Sequence, residues 1–422
     1  SFSLIWITFS NIKNFFNSNY ISSEGKHEVY KYFIEKGLSL LSNNGNLAFI
    51  TPDTWTTLGY FKKLRKLILT NFNLFKISKS LYKVFESATV DTNIILIKNA
   101  KPNNKFSVIN SDIERYIVKI ISTDNEDFII NLKDENEIIK IIEKKSITLE
   151  NKCEVWQGLI AYSEKKQPRE FSSEKKETIF HRKLLYGGDI SKFSIEWSGE
   201  YLKYGEWLHR PRPSYIFDNP KILIQRIRNP KLSVRLVCTL DKNGFINGTG
   251  LSNVLIKNGL NDTRIEYILS LLNSRLINYW FSYYFIDVNI KPEQIRKTPV
   301  KVLTKANQIP FVQFVDYLLY LHNKENPAIL FHTDNARIAS HIEDILNMMV
   351  YELYFEEHMK EVDLDVLQFV TPVLESLQNL PIEQQIKELY EWYQKPENAV
   401  RQRLMLIDTR SPDILAVIHK SV

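Results

Sequence analysis

The sequence predicts an α/β segment followed by mixed α+β structure: part of a doubly wound sheet, then an irregular β-rich domain, then a C-terminal helical region. Three observations carry this expectation. Between residues 28 and 98, apolar runs at helical spacing alternate with short, continuous apolar runs. Between 151 and 260, short β-like runs alternate with turns such as Tyr186-Gly187-Gly188-Asp189. After Pro310 nearly every apolar pattern has a helical period.

The elements follow in order. Residues 28–42 place Tyr30, Phe33, Ile34, Leu38 and Leu41 at helical spacing, and Asn43-Asn44-Gly45 is a turn. Asn46 to Thr51 is a short apolar run that predicts a buried strand. Phe61 to Thr70 predicts a basic amphipathic helix, whose Lys62, Lys63, Arg65 and Lys66 read as a solvated face. Phe72 to Ser78 and Thr92 to Lys98 predict strands, and helix, strand, helix, strand with short loops is the grammar of about half a doubly wound sheet. Residues 101–150 are rich in Lys, Asn, Asp and Glu and read as a connector with one helix, Glu135 to Lys145. Lys221 to Ile227 and Leu232 to Leu240 predict strands, and Arg264 to Tyr284 predicts one long amphipathic helix. Helices are expected over 336–355, 364–377 and 381–393.

Composition narrows the function classes. The chain has 422 residues, 44% hydrophobic, with 13 Gly and 15 Pro, which excludes collagen and low-complexity arrays. Two distant cysteines, Cys153 and Cys238, exclude a disulfide framework and point to a reducing, cytoplasmic setting. The most apolar stretch, 277–290, contains Asp287 and is too short to span a bilayer, so no membrane partner is expected. The chain does not begin with Met, as expected either of a piece of a longer parent or of a processed chain. Charge is more telling where it clusters. Residues 201–240 hold eight basic residues against two acids, a surplus equal to the +6 of the whole chain. Residues 341–400 hold 13 acids against three lysines. A basic middle and an acidic tail read either as one face for a polyanion and one that avoids it, or as ordinary solvated surface.

The stretch YKYFIEKGLSLLSNNGNLAFITPDTW, with FKKLRKLIL and KVFESATVDTNIILIKN after it, resembles the second half of the catalytic domain of type IIG restriction–modification adenine-specific DNA methyltransferases. VWQGLIAY, KLLYGGDI, PKILIQRI, LLNSRLINYWF and VNIKPEQIRKTPV resemble the TaqI-like target-recognition domain. The resemblance covers about 20–100 and 151–300, and MMVYELYF in the tail adds to it more weakly. It implies four parts: residues 1–100 as the C-terminal half of an S-adenosylmethionine-dependent methyltransferase fold, 101–150 as a connector, 151–300 as the DNA-recognition domain and 301–422 as a helical region.

In this family a methyl group passes from S-adenosylmethionine to the exocyclic amine of an adenine swung out of the duplex. An Asn-Pro-Pro-aromatic tetrapeptide holds that amine. This chain has no Pro-Pro dipeptide; the resemblance implies that the tetrapeptide would lie just upstream of residues resembling Asn17 to Phe33, and the glycine-rich cofactor turn further upstream. Gly248-Thr249-Gly250 is the only G-x-G and lacks the spacing of a cofactor turn. The expectation is therefore that S-adenosylmethionine serves the intact enzyme, and that this chain alone binds none and is inactive. No nuclease site, metal site or nucleophile signature appears in the sequence. The implied partners are double-stranded DNA and, for chemistry, a catalytic methyltransferase/endonuclease chain supplying the missing motifs. A separate specificity subunit and a non-enzymatic helical interaction protein are the competing readings.

Candidate residues follow, each with two readings. Phe85 resembles the family's ring that stacks on the flipped adenine, or is a core Phe. Arg226 and Arg228, two apart in an apolar run, share a strand face that reads guanine edges or clamps phosphates, or pairs with acids. Lys221, Lys231 and Arg235 add to the same basic cluster. Tyr204, Trp207, His209, Arg210 and Arg212 interleave rings with cations, as stacking and phosphate contact require, or form a rigid proline loop. Lys291, Gln294 and Arg296 contact DNA by resemblance, or cap a helix.

Overall fold

The computed structural model describes residues 12–79, 92–103, 105–110, 113–120, 128, 130, 136–163, 170–230, 232–285 and 287–421. The chain divides into two compact units, Ser1–Glu135 and Asn136–Val422.

In the first unit, β1 (Asn46–Pro52), β2 (Asn73–Lys79), β3 (Thr92–Lys98), β4 (Lys105–Asn110) and β5 (Ile113–Ile120) form one sheet in the order β1-β3-β2-β4-β5. The helix Lys62–Asn71 connects β1 to β2, and both strands run antiparallel to β3, which lies between them. β2 and β4 pair in parallel, and β4 and β5 are antiparallel. The sheet among the described residues is thus mixed rather than wholly parallel, because β3 returns between the two strands that the helix joins. β4 and β5 also fall where the sequence reads as connector. Lysine and asparagine disguise their alternation, but Phe106 and Val108 still reach the core.

The helices Val29–Ser39 and Lys62–Asn71 lay Ile34, Leu38, Leu64 and Ile68 on one face of this sheet, against Leu74, Ile77, Ile95 and Ile97. Trp55 is buried there, and its Nε1 donates to Asn93 Oδ1 at 3.2 Å. Arg65 does not join the solvated face expected of it. It is buried and donates to the carbonyls of Trp55 and Leu58 at 2.8 and 2.7 Å, tying the helix to the loop before it.

The second unit contains β6 (Ile147–Thr148), β7 (Cys153–Gln157), β8 (Ser172–Ser173), β9 (His181–Leu185), β10 (Ile190–Ser191), β11 (Ser194–Ile195), β12 (Tyr201–Lys203), β13 (Lys221–Gln225), β14 (Cys238–Asp241), β15 (Ile246–Asn247), β16 (Leu251–Ile256) and β17 (Pro299–Val300). Two four-stranded sheets dominate. One is antiparallel, β14-β13-β16-β7; the other, β15-β9-β12-β8, has a single parallel pair, β15 with β9. Burial of β13 from Lys221 to Ile224 explains its apolar Ile222-Leu223-Ile224 run.

The expected long helix over 264–284 is two helices, Ile265–Asn273 and Arg275–Tyr284. Ser274 takes an extended conformation between them, and its Oγ accepts the Ile277 N–H as an N-cap. The helices Leu367–Leu377 and Ile382–Gln394 follow the expected bounds within three residues; Asn335–Glu361 runs six residues past the expected end and kinks at Phe355, and Ile309–His322 is a further helix in this region. Their apolar stripes share one core with β13, β14 and the Ile265–Tyr284 helices.

Candidate nucleic-acid interface

Most of the basic residues singled out in the sequence are engaged inside the second unit. Lys221, at the start of β13, is fully buried; its Nζ donates to the Phe217 carbonyl at 2.7 Å and to Asp241 Oδ2 at 2.5 Å. Burial pushes its ammonium below the usual lysine value, while the Asp241 carboxylate opposes that shift. Arg226 and Arg228 do not lie on an exposed strand face, because β13 ends at Gln225. Arg226 is buried and donates to the carbonyls of Ile290 and Thr249 at 3.0 and 2.7 Å. Arg228 is half-buried and donates to Gln225 Oε1 at 3.2 Å and to the Val234 carbonyl at 2.8 Å. Arg235 is buried and reaches the carbonyls of Arg228 and Asp287 at 3.1 and 2.6 Å. The physical reason is common to all three arginines: loop carbonyls outside any strand ladder need donors, and one guanidinium supplies several.

The other candidates divide. Arg212 Nε donates to the Gln157 carbonyl at 3.0 Å, and Arg296 to that of Val155 at 2.7 Å. Gln294 is buried; its Nε2 donates to Asp287 Oδ2 at 2.6 Å and its Oε1 accepts the Lys291 N–H at 2.9 Å. Lys291 itself is half-buried. The Tyr204 hydroxyl donates to the Arg212 carbonyl, so the YGEWLHRPRP segment is held as a closed loop. His209 and Arg210 are exposed, and Arg210 pairs through its backbone with Ile160. Trp207 is 43% exposed. Phe85 and Lys231 lie outside the described residues.

What remains on the surface is a different set. Tyr201 of β12 sits opposite Lys183 of β9, and Lys203 follows on the same strand face. Lys183 Nζ lies 4.6 Å from the Trp197 ring centroid and 5.8 Å from that of Phe245. Lys203 Nζ lies 5.3 Å from the Trp207 ring. Trp197 meets Tyr201 edge-on at 4.9 Å, and Phe180 meets Trp207 edge-on at 5.6 Å. The Trp207 indole is fixed by donation to the Lys203 carbonyl at 2.8 Å. Among the described residues no carboxylate pairs with Lys183, Lys203 or Arg210. At the edge of this sheet, Ser172, Ser173, Glu174, Ser198, Gly199 and Glu200 line an open cleft of about 710 Å³. Sequence reasoning counted Lys203 only toward net charge and passed over Lys183. The available signal was the alternation in EYLKY, which sets Lys203 on the face opposite the buried Leu202; HRKLL carries no such alternation.

A cofactor turn can be tested at Gly248-Thr249-Gly250. A Cβ on Gly158 would stand 2.2 Å from the Gly248 carbonyl oxygen, and one on Gly250 would stand 3.4 Å from the Gly187 nitrogen. The Thr249 carbonyl accepts from Arg226. Backbone therefore packs closely at Gly158, while a Cβ on Gly248 would meet nothing within 4 Å. Among the described residues no three His, Cys, Asp or Glu side chains group to hold a metal. No helix among them is long and apolar enough to cross a membrane.

Residues 182–300, which include both lysines, match the TaqI-like C-terminal specificity domain, and residues 6–85 match the Eco57I restriction-modification methylase. The chain resembles a restriction–modification methyltransferase. A protein of Methanocaldococcus jannaschii described as a type II restriction enzyme and methyltransferase is 25% identical over 368 residues, 80% of this chain and 29% of that relative. The type IIG restriction endonuclease BpuSI is 12% identical with a TM-score of 0.30, covering 80% of this chain and 50% of its own. The type IIL restriction-modification enzyme MmeI, solved in complex with DNA, is 10% identical with a TM-score of 0.45, covering 91% and 52%. The chain thus spans under a third of that relative and about half of each of these two solved chains.

Proposed function

We propose that this chain carries the DNA-recognition part of a type IIG restriction–modification methyltransferase, an adenine-specific enzyme that uses S-adenosylmethionine when intact. The second unit positions double-stranded DNA, and a catalytic segment or chain supplies the methyl-transfer motifs absent from this sequence. The observation that carries the reading is the TaqI-like specificity match over 182–300, on a unit whose surface presents cations without acidic partners. The missing Pro-Pro dipeptide supports the lack of methyl transfer by this chain alone.

The test is DNA binding by the purified chain as salt is varied, with random and genomic duplexes, beside a radiolabelled methyl-transfer assay. Steeply salt-dependent binding without methyl transfer is the expected result. Absence of binding at low salt would defeat the DNA reading. Methyl transfer by this chain alone would defeat the claim that its chemistry lies elsewhere.

A further inference from the structure

The structure assigns the phosphate contacts of the recognition unit to the exposed Lys183 and the half-buried Lys203, on one face of the β9–β12 strand pair, rather than to the arginine-rich segment after β13. This inference rests on the DNA-recognition reading and says which surface carries it.

Three observations support it. The first is availability. The side chains of Lys221, Arg226, Arg228 and Arg235 already donate inside the unit, and using them on DNA would leave buried carbonyls unsatisfied. Lys183 and Lys203 have no such task. The second is placement. Lys183 pairs with Tyr201, so Lys203 is its diagonal neighbour on the same face, with Cβ atoms about 7–8 Å apart or somewhat less. The third is support. Each ammonium rests over an indole, Trp197 or Trp207, and each indole is held by a hydrogen bond to a backbone carbonyl, of Glu200 or Lys203. A cation over a ring keeps its charge exposed while its long stem is ordered, which reduces the entropy lost when a phosphate arrives. Trp207 and Phe180, 43% and 49% exposed, extend the platform with flat apolar surface beside the charges. Two ring-supported ammonium groups beside exposed rings fit a sugar–phosphate backbone better than an acidic peptide, since a ring face also suits the sugar and bases of a nucleic acid.

The experiment measures the dependence of DNA affinity on salt for the full chain, with a random-sequence duplex, by fluorescence anisotropy. Each lysine that neutralises one phosphate contributes about 0.9 to the slope of log K against log salt. Lys183→Ala and Lys203→Ala are each expected to lower that slope by about one, and the double variant by about two. Lys183→Arg and Lys203→Arg should restore it. Lys387→Ala, on the acidic Ile382–Gln394 helix, should leave it unchanged, and thermal melting checks that all variants fold. Wild-type binding with a steep slope that neither alanine variant changes would overturn the assignment and leave the DNA reading standing. A wild-type chain without salt-dependent binding would overturn the reading on which the assignment rests.

Discussion

At the scale of single residues, the charged side chains of this protein divide into those that hold it together and those that face outward. Lys221 and Asp241 form a fully buried ion pair, and Lys221 also donates to the Phe217 carbonyl. Removing one partner leaves an uncompensated buried charge, which typically costs about 3–5 kcal/mol. Asp241→Ala should therefore lower the chemical denaturation midpoint strongly, whereas Lys203→Ala should barely move it. His419 gives a pH-dependent counterpart. Burial, then the Arg275 guanidinium within 3.0 Å, push its pKa from 6.5 down to about 4. The folded state thus holds this imidazole neutral, while the unfolded chain protonates it near its ordinary value. The contribution to stability is complete above about pH 6.5 and is lost as pH falls toward 4. Denaturation at pH 7 and pH 4.5 should show a smaller acid-side loss for His419→Gln than for wild type. Equal losses in the two proteins would show that this histidine does not titrate on unfolding.

At the scale of elements, the long apolar run over 265–284 shows what a sequence displays and what it hides. Its helical period was legible; its break was not, because nothing in LLNSRLIN separates a helical Ser from a capping one. The two asparagines of that segment explain why the break is useful. Asn273 exchanges two hydrogen bonds with the Cys238 backbone, and Asn278 accepts the N–H groups of Arg235 and Leu236. Both are buried, so the paired helices act as a substitute strand for the segment entering β14. Asn278→Leu would leave two backbone N–H groups unsatisfied, at roughly 1–3 kcal/mol each. A melting temperature within a degree or two of wild type would contradict that role. The same limit governed the basic residues. Composition located the cluster at 201–240, but density cannot distinguish an arginine that satisfies loop carbonyls from one that faces solvent. That difference depends on the distant 287–291 segment, which pairs with 226–228 only in the fold. Lys203 was legible in principle, since alternation sets it opposite the buried Leu202, but Lys183 was not, because β9 buries His181 and Leu185 on the same face; both strands are also too short to stand out from turns.

At the scale of the whole molecule, each unit has its own apolar core, one built from Ile34 to Ile130 and the others from residues beyond 136. Among the described residues the first sheet ends in β1, which pairs there with β3 alone. Helices cover the face that carries Ile95 and Ile97, while Ile50 and its register partner Ile94 point the other way and are 41% and 40% exposed. An edge strand with an apolar outer face can pair with a second edge, and a lysine is a common way to block it. The full chain is therefore expected to self-associate as its concentration rises, and Ile50→Lys to shift it toward monomer. A fragment of residues 136–422, which keeps its own core and lacks β1, should stay monomeric while retaining salt-dependent DNA binding. Sedimentation velocity across a tenfold concentration range separates the outcomes. A full chain that sediments as a monomer throughout would show that this edge is already protected. A fragment that associates as strongly as the full chain would move the contact away from β1 and into the second unit.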